Sequence, residues 1–190
     1  FIETDGGKLC DVSLELLTKA RSLAECLNVD VEALLIGSNI SGLVPELYRY
    51  GAKVVHVADD PRLEFFRTLP YAAITIELFK EQKPQIALFG ASSIGRDLAP
   101  RVSSALKSGL TADCTSLDIG DHEDARSGKK YKNLLYQIRP AFGGNIIATI
   151  VNPEHRPQMA TVREGVMKKE PLEKPADGKI HQIDTAKILI

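Results

Sequence analysis

The chain has 190 residues, 44% of them hydrophobic and 26% charged, and its 24 Lys plus Arg nearly balance 25 Asp plus Glu for a net charge of −1. This length suits one domain, or a domain with a tail, and can bury a core without disulfide or metal staples. The charge balance offers no concentrated positive field for phosphates, and no apolar run is long enough to span a bilayer. Neither nucleic-acid binding nor membrane insertion is therefore expected.

In chain order, Phe1-Ile2-Glu3 reads as the end of a strand, and a start at Phe1 rather than Met leads us to expect a processed or truncated piece. Asp5-Gly6-Gly7 is a turn signal. Leu16, Leu17, Ala20, Leu23, Ala24 and Leu27 then recur at helical spacing, with Asp11 or Ser13 as candidate caps. Val31 to Ile36 is a short apolar run of the kind that makes a buried parallel strand. A short helix is expected from Leu43 to Tyr50, a strand from Lys53 to Val57, and a helix from Tyr71 to about Gln82, placed after Pro70 because proline breaks helix interiors. Gln85 to Phe89 follows as a strand and Arg96 to Lys107 as a helix. This alternation predicts an α/β fold built on a parallel sheet with helices on both faces.

The pattern then changes. Leu117 to Ile119, Leu134 to Ile138, Ile146 to Val151 and Met159 to Val162 are strand-like runs with no helix between them, and they are expected to add antiparallel strands. Asp121 to Lys130 is a charged, exposed hairpin tip. From Glu164 the chain becomes polar and Pro-rich, with Pro171 and Pro175, which predicts a domain of residues 1–163 and a linker of residues 164–190. The apolar end Ile188-Leu189-Ile190 has no visible partner in the sequence.

Few residues point to chemistry. Cys10, Cys26 and Cys114 are odd in number and widely spaced, which reads as small buried thiols in a reducing compartment, and no metal is expected. Gly90-Ala91-Ser92-Ser93-Ile94-Gly95 has the glycine spacing of a phosphate loop between a strand and a helix. Arg96 and Asp97 stand where such a loop needs Lys and a hydroxyl, and a carboxylate there would repel phosphate. A stand-alone nucleotide-binding or nucleotide-hydrolysing protein with a degenerate phosphate loop is the second reading. Arg139 to Asn145 is a loop shaped by Pro140, Gly143 and Gly144 that can present Arg139, either to a ligand or to a neighbouring carboxylate. His56, His122, His155 and His181 form no readable catalytic arrangement, so no catalytic residue is assigned.

Three stretches in order, Gly90 to Arg101 continuing through Ser108 to Thr115, Arg139 to Asn145, and Pro157 to Arg163 followed by Gly165 to Met167, closely resemble the signatures of electron-transfer flavoprotein alpha subunits. Phe1 to Glu3 and Val12 to Leu17 fit the start of that family. The resemblance runs over nearly the whole chain up to Met167, with Glu164 departing from the usual proline. It implies a Rossmann-like, adenine nucleotide alpha-hydrolase-like three-layer fold, with a mostly parallel sheet and added antiparallel strands. It also implies a scaffold and partner-binding domain for a beta subunit, in a heterodimer whose FAD takes electrons from dehydrogenases and passes them to a quinone reductase or another acceptor. The glycine-rich motifs that hold that FAD are absent here, so no tightly bound cofactor and no catalysis by this chain are expected. The resemblance places Arg139 near a second flavin held by the beta subunit, and it implies a bacterial cytoplasmic setting, with the mitochondrial matrix as the alternative.

Overall fold

The computed structural model describes residues 1–189. After a small hairpin, β1 (Thr4–Asp5) and β2 (Lys8–Leu9), the chain enters α1 (Asp11–Leu27). It then alternates through β3 (Glu32–Gly37), α2 (Val44–Arg49), β4 (Val54–Asp59), α3 (Thr68–Gln82), β5 (Ile86–Gly90), α4 (Ser93–Leu106) and β6 (Leu110–Cys114). Three antiparallel strands follow: β7 (Ser116–Glu123), β8 (Lys130–Ala141) and β9 (Ile146–Ile150). The chain closes with β10 (Gln158–Val162), β11 (Lys179–Gln182) and the short α5 (Thr185–Ile188).

Two parallel groups, β11-β4-β3 and β5-β10-β6, are joined by the backbone of Phe1 and Ile2. The Ile2 amide donates to Leu34 O at 2.9 Å and Ile2 bridges Leu35 in parallel. The Phe1 nitrogen donates to Leu88 O at 2.8 Å on the other side. Successive strand residues point to opposite faces, and the two faces are buried by different helices. Ala33 and Leu35 of β3 pack with Leu14 and Leu17 of α1 and Val44 and Leu47 of α2. Leu34 and Ile36 of the same strand pack with Ile74 of α3 and Leu98 of α4. The remaining side of α1, with Leu16 and Leu23, covers Cys114, Leu117 and Leu135, so the antiparallel sheet shares that layer. The result is the three-layer, mostly parallel α/β fold with antiparallel additions.

Four particulars differ from the sequence reading. β10 is not antiparallel: it inserts in parallel between β5 and β6. Its apolar run is buried on both faces and so carries no directional signal. α3 begins at Thr68 and takes Pro70 into its first turn, where a missing N–H costs nothing. Only Cys114 of the thiols is buried, whereas Cys26 is exposed. The tail also finds partners: β11 extends the sheet beside β4, and Ile188 and Leu189 pack on the α3 side of the core. Ile190 lies outside the described residues. No helix among the described residues is long and apolar enough to cross a membrane.

Candidate functional site

Gly90 of β5, Val162 of β10 and Cys114 of β6 lie in register, so three strands end side by side. In open parallel sheets the crevice beyond these carboxyl ends is where ligands bind. A bulge in β6 against Ala160 to Val162 places Asp113 at this edge. Asp113 has φ +60°, a left-handed conformation that Asp tolerates better than most residues, and its amide donates to Thr161 Oγ1 at 2.9 Å.

Arginines converge on that carboxylate. Arg163 donates from Nε at 3.2 Å and Nη2 at 2.8 Å to its two oxygens, a forked geometry. Arg96 Nη2 lies 3.8 Å from Oδ1. The Arg163 hydrogen bonds, helped by the charges of Arg163, Arg96 and Arg139, hold the Asp113 carboxyl below its ordinary range. Burial pushes the neighbouring Cys114 thiol up to about 11 although Arg139 pulls the other way, so this cysteine is an inert core residue.

Arg139 lies near the end of β8, half-buried, and its Nε donates to Pro140 O at 3.4 Å. Among the described residues it forms no ion pair, so one carboxylate faces more guanidinium charge than it neutralises. Just beyond it, Phe142, Gly143 and Gly144 take φ of +49°, +69° and +91° in succession. Glycine adopts this conformation freely, but phenylalanine does so rarely. The turn leaves Phe142 81% exposed and Ile147 72% exposed, with Ile146 and Ile150 also open to solvent. The stretch read as a loop is thus the tip of the β8–β9 hairpin, with Arg139 at its base.

The phosphate-loop glycines are explained by close packing. A Cβ on Gly95 would sit 1.8 Å from Gly90 O. Ser92 caps α4 by accepting from the Gly95 amide at 3.0 Å. Arg96 turns back so that Nε donates to Ala91 O at 2.8 Å, and the Asp97 carboxylate accepts from Thr68 Oγ1, tying α4 to the start of α3. Neither side chain takes the part that a phosphate loop's Lys and hydroxyl play. Among the described residues no cluster of three or more His, Cys, Asp or Glu could hold a metal ion.

Sequence reasoning singled out Arg139 and the Gly90–Gly95 loop. It missed Asp113, Arg163 and Glu3 as neighbours of these, because residues so distant in sequence meet only through the sheet. The motifs ending at Thr115 and Arg163 contained two of them, and their shared position at strand ends was the available signal.

A parallel α/β domain with an arginine-lined carboxyl edge and a projecting antiparallel hairpin defines a Rossmann-like class. A family profile described as "Electron transfer flavoprotein domain" matches residues 1–188, and the chain belongs to that family. It is 48% identical over 184 residues to the electron transfer flavoprotein subunit alpha of Thermoanaerobacterium thermosaccharolyticum, covering 97% of this chain and 53% of that protein. The subunit alpha of Megasphaera elsdenii is 47% identical over 92% of this chain and 49% of its own length. The LctC subunit of the lactate dehydrogenase (NAD(+),ferredoxin) of Acetobacterium woodii is 43% identical over 86% of this chain and 37% of its own length. The chain spans about half the length of the alpha subunits it matches.

Proposed function

We propose that residues 1–163 are a scaffold and partner-binding domain of an electron-transfer flavoprotein alpha subunit, with residues 164–190 leading toward a flavin-holding domain. The observation that carries this reading is the cluster of exposed apolar side chains at the β8–β9 hairpin, Phe142 at the turn with Ile146 and Ile150 on one face of β9 and Ile147 on the other, on a chain of this family. Large apolar side chains left exposed together on a projecting element favour a protein-binding role. The occupant proposed is the beta subunit of the same heterodimer.

In that complex FAD accepts electrons from a dehydrogenase and delivers them to a quinone reductase or another acceptor. A cavity of about 480 Å³ is lined by apolar side chains such as Leu17, Leu23 and Phe79 around the opposite, amino end of the strands. Its lining is mostly apolar and its carboxylates, Asp30 and Glu32, oppose a pyrophosphate, which favours a place for the main FAD in another domain. The arginine edge does suit an anionic group: Arg139, backed by Arg96 and Arg163, would face a flavin held by the beta subunit. A guanidinium there favours added negative charge by Coulomb attraction. The domain's part in electron transfer is therefore positioning and electrostatic tuning, with no catalysis of its own.

Co-expression with an electron-transfer flavoprotein beta subunit, followed by size-exclusion chromatography, tests the reading. Co-elution is expected, without stoichiometric FAD on this chain alone. Separate elution of two folded chains, or one FAD retained per isolated chain, would overturn it.

A further inference from the structure

The loop between β5 and α4 has the strand–loop–helix form that receives anions elsewhere, yet its interior is already filled. Glu3 is only 4% exposed and lies at the carboxyl end of the Phe1–Ile2 backbone, where the strand order reverses between β3 and β5. Its Oε2 accepts from Ser92 Oγ at 2.7 Å, and Ser92 Oγ accepts in turn from the Gly95 amide. Its Oε1 is buried with no hydrogen-bond partner. A Cβ on Gly90 would stand 2.9 Å from that oxygen, and one on Gly95 would stand 3.4 Å from it. Both glycines of the loop thus border the same carboxyl group.

A buried carboxyl group with an unsatisfied oxygen is costly, and it is retained here at a helix amino end, where negative charge is favoured. We infer that Glu3 is the built-in anion of this cradle: its carboxyl occupies the place of a phosphate group beside the α4 amino end. The chain rejects phosphates there, and a variant lacking the carboxyl accepts one. Two effects act together. The side chain fills the space bordered by the two glycines, and its charge, reinforced by nearby Glu164, repels a second anion. The inference is independent of the partner surface, because Glu3 and the hairpin tip share no hydrogen bond or ion pair.

The test is titration of the 190-residue chain and its variants with inorganic phosphate and with AMP at constant ionic strength, followed by calorimetry and by backbone amide NMR shifts. The wild type is expected to show no saturable binding. E3A should bind both ligands at least about tenfold more tightly, the effect of one hydrogen bond to a charged group, with shifts centred on the amides of residues 93–95. E3S carries the same test, with a hydroxyl left to bond Ser92, should E3A fail to fold. E3Q keeps the bulk but loses the charge, so its gain should be clearly smaller than that of E3A. Wild-type binding as tight as that of E3A would overturn the inference, as would a folded E3A or E3S without gain. So would an equal gain in E3Q, a gain for AMP without phosphate, or shifts centred on Arg139 and Arg163.

Discussion

His56 on β4 and His181 on β11 meet Nδ1 to Nδ1 at 2.8 Å, while Nε2 of His56 lies 2.6 Å from the Glu32 carboxylate. A bond between two Nδ1 atoms needs a single shared proton, so one ring donates and the other accepts. The Glu32 carboxylate accepts from the Nε2–H of His56, and the two Nδ1 atoms share the remaining hydrogen bond. The His56 hydrogen bond in turn holds the Glu32 carboxyl below its ordinary range. This chain of contacts anchors β11, a strand of four residues that among the described residues pairs only with β4.

Replacing His181 by Phe keeps a ring at the sheet edge but removes the hydrogen-bond partner of His56. The amides of residues 179–183 should exchange with solvent at least about tenfold faster in H181F, as expected for a short edge strand that has lost a hydrogen bond, while β3 and β5 keep their protection. Unchanged protection of β11 would show that backbone pairing alone holds the tail.

Glu3 sets a pH dependence of defined sign. Burial raises its pKa above the ordinary value of about 4.5 in the folded state, so the native protein binds the proton more tightly than the unfolded chain does. Stability from this group is therefore fully present below about 4.5 and is lost as pH rises through the elevated folded value. E3Q lacks that slope. Denaturant midpoints at pH 5 and pH 8 should show E3Q gaining on the wild type as pH rises. A constant difference between the two proteins would mean that Glu3 titrates alike in both states.

Leu98 is fully buried on α4, between the sheet and α3. Leu98→Ala should cost about 2–5 kcal/mol in chemical denaturation, the range for a truncated core leucine. By contrast, Ile147→Lys at an exposed position of β9 should change stability by no more than about 0.5 kcal/mol. It should nonetheless abolish co-elution with the beta subunit. A destabilised I147K would place that side chain in the core instead.

The contrast between those two residues shows what periodicity conveys. Leu98 belongs to a helix whose apolar face could be read in the sequence, and the β3, β4 and β5 runs were equally plain. Ile146, Ile147 and Ile150 read as a strand and form β9, but their exposure on a projecting hairpin was not legible, because a run of apolar residues states that it will be covered without stating by what. β10 was misread in direction for the same reason: a strand buried on both faces carries no mark of its neighbours. Arg139 was legible because Pro140, Gly143 and Gly144 shape a turn beside it. Its relation to Asp113, Arg96 and Arg163 was not, since the sheet alone brings those positions together.

Arg139→Ala removes a half-buried guanidinium that has no ion-pair partner among the described residues, so the melting temperature of the chain should hardly move. In a full heterodimer carrying a flavin on the beta subunit, the same change should make that flavin harder to reduce. Spectroelectrochemical titration reads the shift. An unchanged potential together with a clear loss of stability would assign Arg139 a structural role only.

Hydrogen exchange of the chain alone and in complex with a beta subunit addresses partner docking most directly. The expected result is strong protection of residues 139–150 on complex formation, centred on the turn at Phe142 to Gly144, with the α3 and α4 surface unchanged. A stable complex that leaves this hairpin as exposed as in the free chain, and protects another surface instead, would contradict it.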